Sequence, residues 1–239
     1  FIGVMLFFGC EKSENRDCFK STGGLTSKMI ELGEFDEIFM GPHLKYVLIQ
    51  SNENKLEVVG GKNVINFVEA KIEGGILKLN NINKCNFLRS YDKDITVYIH
   101  FKNIVKIAFE GTEQVTCFDE LNLQDLVLTI RDGAGEFNLS LNANSLHTIV
   151  SQGWGNFNFE GNVNYLKLDV SGNGFGSSNA LTVNDSILIR SNTVEDVQVN
   201  ANNCFLRAET TAAGDIWYIG TPTSIIYHNY GTGALIDKN

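Results

Sequence analysis

Residues 126–141 read LVLTIRDGAGEFNLSL, and residues 146–161 repeat the pattern as LHTIVSQGWGNFNFEG. Each copy is an alternating apolar strand, a turn with two glycines and a second alternating strand. The first strands of successive copies open about 20 residues apart, at Ile104, Leu126, Leu146, Leu166, Ile187 and Leu206. A period of this length predicts a solenoid, in which each coil becomes stable because it stacks on its neighbours.

The repeat predicts an all-β fold, a right-handed parallel β-helix or solenoid with rungs of about 20 residues. Regular rungs and a C-terminal cap are assigned to residues 102–239. Strands of successive rungs stack about 4.8 Å apart, so Leu128, Thr148 and Leu168 should lie in one internal line. The hand follows from the right-handed crossover that parallel strands nearly always adopt. Gly176 stands where neighbouring rungs have phenylalanine, which predicts a local narrowing or irregularity.

The segment before the repeat, residues 29–101, predicts an N-terminal run of short strands. The candidate strands are bounded by Gly, Asn or Asp and occupy residues 35–38, 44–50, 55–59, 66–73, 76–79 and 95–100. Glu73-Gly74-Gly75 is typical of a tight turn, because glycine reaches positive φ without strain. Together with the repeat, these strands make one predicted domain over residues 29–239.

Glycines recur at a nearly constant offset after the first strand of each rung. The predicted structural turns contain Gly133, Gly135, Gly153, Gly155, Gly172, Gly174 and Gly214. A phosphate cradle would need a helix directly after the glycines, and no helical pattern follows them. Trp154 and Phe175 lie beside turn glycines and form a predicted binding edge for a sugar ring or a partner protein. Packing beneath a neighbouring turn is their alternative role.

The first ten residues, FIGVMLFFGC, are apolar but too short to span a bilayer. Their length suits the apolar part of a signal peptide, and Leu6-Phe7-Phe8-Gly9-Cys10 resembles a bacterial lipobox, in which the cysteine is lipidated. We therefore predict a signal-peptide remnant at residues 1–10, lipidation of Cys10 and a polar tether at residues 11–28. A buried N-terminal strand that ends in a core cysteine is the alternative.

Four cysteines remain if Cys10 carries lipid: Cys18, Cys85, Cys117 and Cys204. An exported protein can pair four cysteines in three ways, and the sequence does not choose among them. Cys117 and Cys204 lie within predicted repeat strands, where a small buried thiol is the expected role.

Composition and motif spacing disfavour several functions. A net charge of −9 without a lysine or arginine cluster argues against nucleic acid as a partner. No Gly-x-Ser-x-Gly elbow is present, and no catalytic residue can be assigned. The histidines lack metal-ligand spacing, so neither a metal nor a cofactor is predicted; they are His43, His100, His147 and His228.

Four carboxylates fall in or beside the glycine turns: Asp132, Glu136, Glu160 and Asp169. A row of them along one edge would suit calcium, or the acid and base of a sugar-cleaving enzyme. The repeat lacks the Gly-Gly-x-Gly-x-Asp pattern of calcium-loaded β-rolls, so solvated turn residues are the favoured interpretation.

Three features resemble the DUF2807 family, which is described as putative auto-transporter adhesin head domains, or GIN domains, and is common in Bacteroidetes. They are the opening strands at 35–38 and 47–50, the repeated Ser-Gly-x-Gly turns, and GDIWYIGTP at residues 214–222. Phe101 stands where a proline is common in the family. The resemblance covers roughly residues 30–239 and implies a β-solenoid in the cell envelope, but little chemistry.

The predicted function is that of a cell-envelope lipoprotein, anchored to the outer membrane through lipid and facing either the periplasm or the surface. Its non-catalytic solenoid is expected to bind or adhere to a glycan or an envelope protein. Two alternatives stay open: a polysaccharide-active β-helix enzyme, by analogy of fold alone, and a periplasmic structural scaffold.

Overall fold

The computed structural model describes residues 21–83 and 95–239 and shows a β-solenoid of about seven turns with rungs of about 20 residues. The predicted fold class is confirmed, and the right hand of the coil stays a prediction. The described residues form an 18-stranded sheet. The first nine strands are β1 (Leu25–Glu31), β2 (Glu37–Met40), β3 (Lys45–Gln50), β4 (Lys55–Gly61), β5 (Val68–Glu73), β6 (Ile76–Asn81), β7 (Thr96–Phe101), β8 (Lys106–Phe109) and β9 (Gln114–Cys117). The last nine are β10 (Leu121–Arg131), β11 (Glu136–Ser151), β12 (Asn156–Gly172), β13 (Phe175–Thr193), β14 (Val197–Asn200), β15 (Phe205–Thr210), β16 (Ile216–Ile219), β17 (Ser224–Asn229) and β18 (Leu235–Asp237).

We call three consecutive segments of each regular rung in the middle of the solenoid its first, second and third faces. In the rung that opens at Leu126, the first face starts at residue 126, the second at 136 and the third at 141. On every face the strands pair in parallel with the same segment of the neighbouring rung. Alternate side chains therefore point into a shared core or out to solvent.

The internal line of side chains is present as predicted. Leu128 pairs with Thr148, Thr148 with Leu168, and Leu168 with Ile189. All four side chains are fully buried. The Thr148 hydroxyl oxygen has no hydrogen-bond partner there, so this threonine contributes to the stack through its methyl group.

The predicted irregularity at Gly176 is also confirmed. The register between β12 and β13 shifts between Asn158 and Glu160. Gly176 lies directly on the ring of Phe157, and a Cβ at Gly176 would come within 2.5 Å of Phe157 Cδ1. The Phe157 ring stacks on Phe159 with centroids 5.0 Å apart. One large ring thus fills the room that Gly176 leaves in the next rung.

The N-terminal coils depart from sequence order, which the strand pattern did not predict. β2 lies between β6 and β8, and β3 lies between β7 and β9, all in parallel. β5 and β6 form the predicted hairpin around Gly74 and Gly75, whose φ angles are 60° and 83°. The predicted strand 66–73 begins later, at Val68, because residues Ile65–Phe67 form a 3-10 turn.

Strand β1 was missed by the sequence analysis. It starts at Leu25, inside the segment assigned to the polar tether, and pairs antiparallel with β4. β4 pairs antiparallel with β7 in turn. Most of β1 is exposed, so its alternation is too weakly apolar to mark it as a strand.

Candidate binding surface

The glycine turns form the corner between the first and second faces. A Cβ at Gly153 would lie 2.2 Å from the carbonyl oxygen of Gly133, and one at Gly133 would lie 2.0 Å from that of Gly111. The positive φ angles fall one residue earlier, on Asp132 at 59° and Gln152 at 58°. Gly133 and Gly153 are therefore required for the close approach of successive coils rather than for a positive φ.

The other predicted turn glycines either leave no room for a side chain or take a positive φ. Gly135, Gly155 and Gly174 face side chains of a neighbouring coil, with 2.1 to 2.6 Å between an added Cβ and the nearest heavy atom. A Cβ at Gly214 would lie 2.0 Å from the carbonyl oxygen of Glu195, and Gly172 has a φ of 76°. A side chain at any of these positions would be crowded or strained, so successive coils pack closely at this corner.

The two predicted edge aromatics lie on this corner and point outward. Trp154 is 55% exposed and Phe175 is 38% exposed. Phe175 pairs with Asn156 of the preceding coil. Asn156 lies two residues after Trp154, so Trp154 and Phe175 are diagonal neighbours on adjacent coils. The Trp154 amide donates to the Gly133 carbonyl at 2.8 Å, which ties its backbone to the glycine column.

The four turn carboxylates do not form a row, because they face different partners. Asp132 pairs with Arg131, at 3.1 Å from Nε. Glu136 accepts a hydrogen bond from Gln114 Nε2 at 2.9 Å. Glu160 lines a separate groove of about 380 Å³. Across residues 21–83 and 95–239, no group of three or more His, Cys, Asp or Glu side chains is placed to hold a metal ion.

Asp169 belongs to an ion-pair network on the first face. Its Oδ2 lies 2.7 Å from His147 Nε2 and 3.1 Å from Lys167 Nζ. Burial alone would raise the pKa of Asp169, but the hydrogen bonds from His147 and Lys167 and the lysine charge together lower it. This carboxylate is held ionised, so it is poorly suited to act as a general acid.

The cysteines in the described residues, Cys117 and Cys204, are free thiols. Cys204 is buried and lies just before β15, whereas Cys117 is partly buried at the end of β9. Burial raises the pKa of both thiols, so neither is a ready thiolate nucleophile. Cys10, Cys18 and Cys85 lie outside the described residues.

A polar groove on the third face was missed by the sequence analysis. Its volume is about 540 Å³, and all its lining residues are uncharged. Two columns of amide side chains border it: Asn122, Asn142 and Asn162 form one, and Asn144, Asn164 and Asn184 form the other. The available signal was the recurrence of Asn-x-Asn at residues 142–144 and 162–164, one rung apart.

The family follows from a match that spans most of the solenoid. The DUF2807 family, described as "putative auto-transporter adhesin, head GIN domain", matches residues 34–222. The chain belongs to this family. The GIN-domain match begins just before β2 and ends just before β17, so it includes both the glycine corner and the amide groove. No curated protein matches the chain.

Solved structures share the fold of this GIN-domain chain at low sequence identity. A putative adhesin from Bacteroides fragilis is 21% identical with a TM-score of 0.79, over 90% of this chain and 97% of that one. A putative adhesin from Parabacteroides distasonis is 16% identical with a TM-score of 0.65, over 90% and 97%. A protein of the same species described as a putative lipid binding protein is 18% identical with a TM-score of 0.66, over 92% and 98%.

The adhesin description of the family indicates a location in the cell envelope or at the cell surface. Within the described ranges, no helix combines the length and the apolar character needed to cross a bilayer.

Proposed function

We propose that this protein is a non-catalytic adhesin of the cell envelope, whose solenoid holds a glycan or protein partner on its outer surface. The exposure of Trp154 and Phe175 on a corner where stacked glycines let the coils pack closely carries this proposal. Large aromatic side chains offer apolar contact area at a low entropic cost. Membership of an adhesin-like family supports the same role.

Attachment to the membrane completes the proposal. The lipobox-like sequence that ends at Cys10 supports a signal peptide at residues 1–10 and a lipid on the cysteine. Residues from 11 up to the start of β1 at Leu25 then form a tether. In this arrangement the outer membrane holds the chain, and the solenoid faces the partner.

The chemistry of the described surface supports a binding role over an enzymatic one. The Cys117 and Cys204 thiols have raised pKa values because they are buried, and Asp169 is held in an ion-pair network. The Asp132 and Glu136 carboxylates each face a partner of their own. The groove of about 380 Å³ is lined by three carboxylates, Asp119, Glu120 and Glu160, and is therefore where the alternative, a polysaccharide-active enzyme, would have to place its acid and base.

Replacing both edge aromatics should remove most of the binding. We expect the double variant Trp154→Ala/Phe175→Ala to lose at least about tenfold in retention on a glycan or envelope-protein array. Aromatic side chains that a partner covers on binding usually supply a large part of the binding energy. Its matched control is Tyr230→Ala, which removes an aromatic that is 71% exposed in the last coil.

The control should bind like the wild type. Equal retention of the wild type and the Trp154→Ala/Phe175→Ala variant would remove this corner from consideration as the contact site.

A further inference from the structure

We propose that the groove on the third face is a second binding site, and that its ligand is a neutral, hydroxyl-rich glycan chain. The inference rests on the proposed binding role and adds both a separate site and a ligand class. It places the glycan on the amide columns Asn122/Asn142/Asn162 and Asn144/Asn164/Asn184, away from the aromatic corner.

The groove is formed by the alternation of the parallel strands. Leu123, Ala143, Val163 and Val183 are buried in one line, and the residues before and after them point outward. The outward positions carry amides on successive rungs, about 4.8 Å apart along the solenoid axis and roughly 7 Å apart across the face. The result is an array of polar groups that repeats from rung to rung along the groove.

The amides are held in a fixed orientation by one another. Asn142 Nδ2 donates to Asn122 Oδ1 at 3.0 Å. In the second column, Asn184 donates to Asn164 and Asn164 donates to Asn144, each at 3.2 Å. Asn144 Nδ2 in turn donates to the Asp125 carboxylate at 3.2 Å. The array is preorganised before any ligand arrives.

Each linked amide keeps hydrogen-bonding capacity for a ligand. A primary amide has two N–H donors and two acceptor lone pairs, and one link to each neighbouring rung uses one donor and one acceptor. One N–H and one lone pair remain on a side chain such as Asn164. Hydroxyl groups both donate and accept, so a chain of sugar hydroxyls matches this pattern better than a purely anionic or cationic ligand does.

Charge around the groove selects against an acidic glycan. The groove lining itself is neutral. Asp125 borders the second column and stays ionised, because hydrogen bonds from Ser145 and Asn144 lower its pKa. The protein as a whole carries a net charge of −9. A polyanion would be repelled without a compensating cation in the groove.

Strand propensity argues that the amides of the first column are not there for the fold. Asparagine is depleted in paired β-strands, and threonine or valine would suit the paired positions Asn122, Asn142 and Asn162 better. Exposed hydrogen bonds between side chains contribute little net stability to offset that preference.

The test compares two pairs of asparagines that lie in the same coils. Asn142→Thr/Asn164→Thr removes one amide from each column and introduces a residue favoured in strands. Asn138→Thr/Asn158→Thr is the control, since these asparagines are in register on the second face and line the separate groove of about 380 Å³ rather than the amide columns. Affinity electrophoresis of the full chain would use dextran, mannan and laminarin as neutral polymers and alginate as the acidic one.

We expect at least one neutral polymer to retard the wild type and the control, and the third-face variant to bind it at least about tenfold more weakly. Alginate should not retard any of them. The inference is overturned if no neutral polymer retards the wild type, if both variants lose binding equally, or if alginate binds as well as the neutral polymers. A third-face variant that is less stable but binds fully would show that the amides act only as a structural ladder.

Failure of the groove as a binding site can be distinguished from failure of the proposed adhesin role. A partner that is lost from Trp154→Ala/Phe175→Ala but retained by Asn142→Thr/Asn164→Thr would overturn the groove as a site while leaving the adhesin role in place.

Discussion

Phe157→Ala is expected to lower the free energy of unfolding by about 3–5 kcal/mol. Phe157 is fully buried and stacks on Phe159. Above it in the next rung lies Gly176, which has no side chain that could move into the space left by the ring. The cavity would therefore extend through two rungs, and the cost of a cavity grows with its volume. Urea titration followed by circular dichroism would measure the loss.

Two further variants make this test specific. Phe118→Ala removes a phenylalanine that is 71% exposed and should change stability by less than about 0.5 kcal/mol. Phe157→Ala/Gly176→Leu should recover part of the lost stability, because the leucine fills the same space from the rung above. A Phe157→Ala variant as stable as Phe118→Ala would show that the two rungs do not stack in this register.

Gly153→Ala is expected to cost about 2–4 kcal/mol, although it adds a single methyl group. The new Cβ would lie 2.2 Å from the Gly133 carbonyl oxygen, and backbone cannot rotate away as a side chain can. The same oxygen accepts the Trp154 amide at 2.8 Å, so widening the gap between the coils also weakens that hydrogen bond. The same urea titration measures the effect.

Gly24→Ala provides the matched control, since a Cβ there meets no heavy atom within 4 Å and Gly24 has no positive φ. It should leave stability unchanged within about 0.5 kcal/mol. If Gly153→Ala were tolerated as well as Gly24→Ala, the coils would not approach each other closely at Gly133 and Gly153.

Much of the fold could be predicted because a two-residue alternation and a 20-residue period constrain each other. Leu128, Thr148 and Leu168 had to share one face, and the repeat had to place them in one line. The order of the N-terminal coils could not be predicted in this way. β2 and β6 have the same alternation, and nothing local to either strand says that β2 also pairs with β8.

The surface was predicted less completely than the core. Two of the predicted turn glycines have a different reason from the one expected: Gly133 and Gly153 allow close contact between coils, and Asp132 and Gln152 take the positive φ. The amide groove was missed because each asparagine, taken singly, looks like a common surface residue. The linked array of amides forms because the coils bring residues 20 positions apart, such as Asn144 and Asn164, within hydrogen-bond distance.

One set of incubations, with binding and cleavage measured on the same samples, would decide whether the solenoid binds without reacting. The full chain would be mixed with acidic and neutral polysaccharides, and separately with solubilised envelope proteins, and both the bound fraction and the polymer length would be measured. We predict that a partner is retained, that every polysaccharide keeps its length, and that no new reducing ends or unsaturated products form. Shortened polymers, or no retention of any glycan or envelope protein, would contradict the role of this protein as a non-catalytic adhesin.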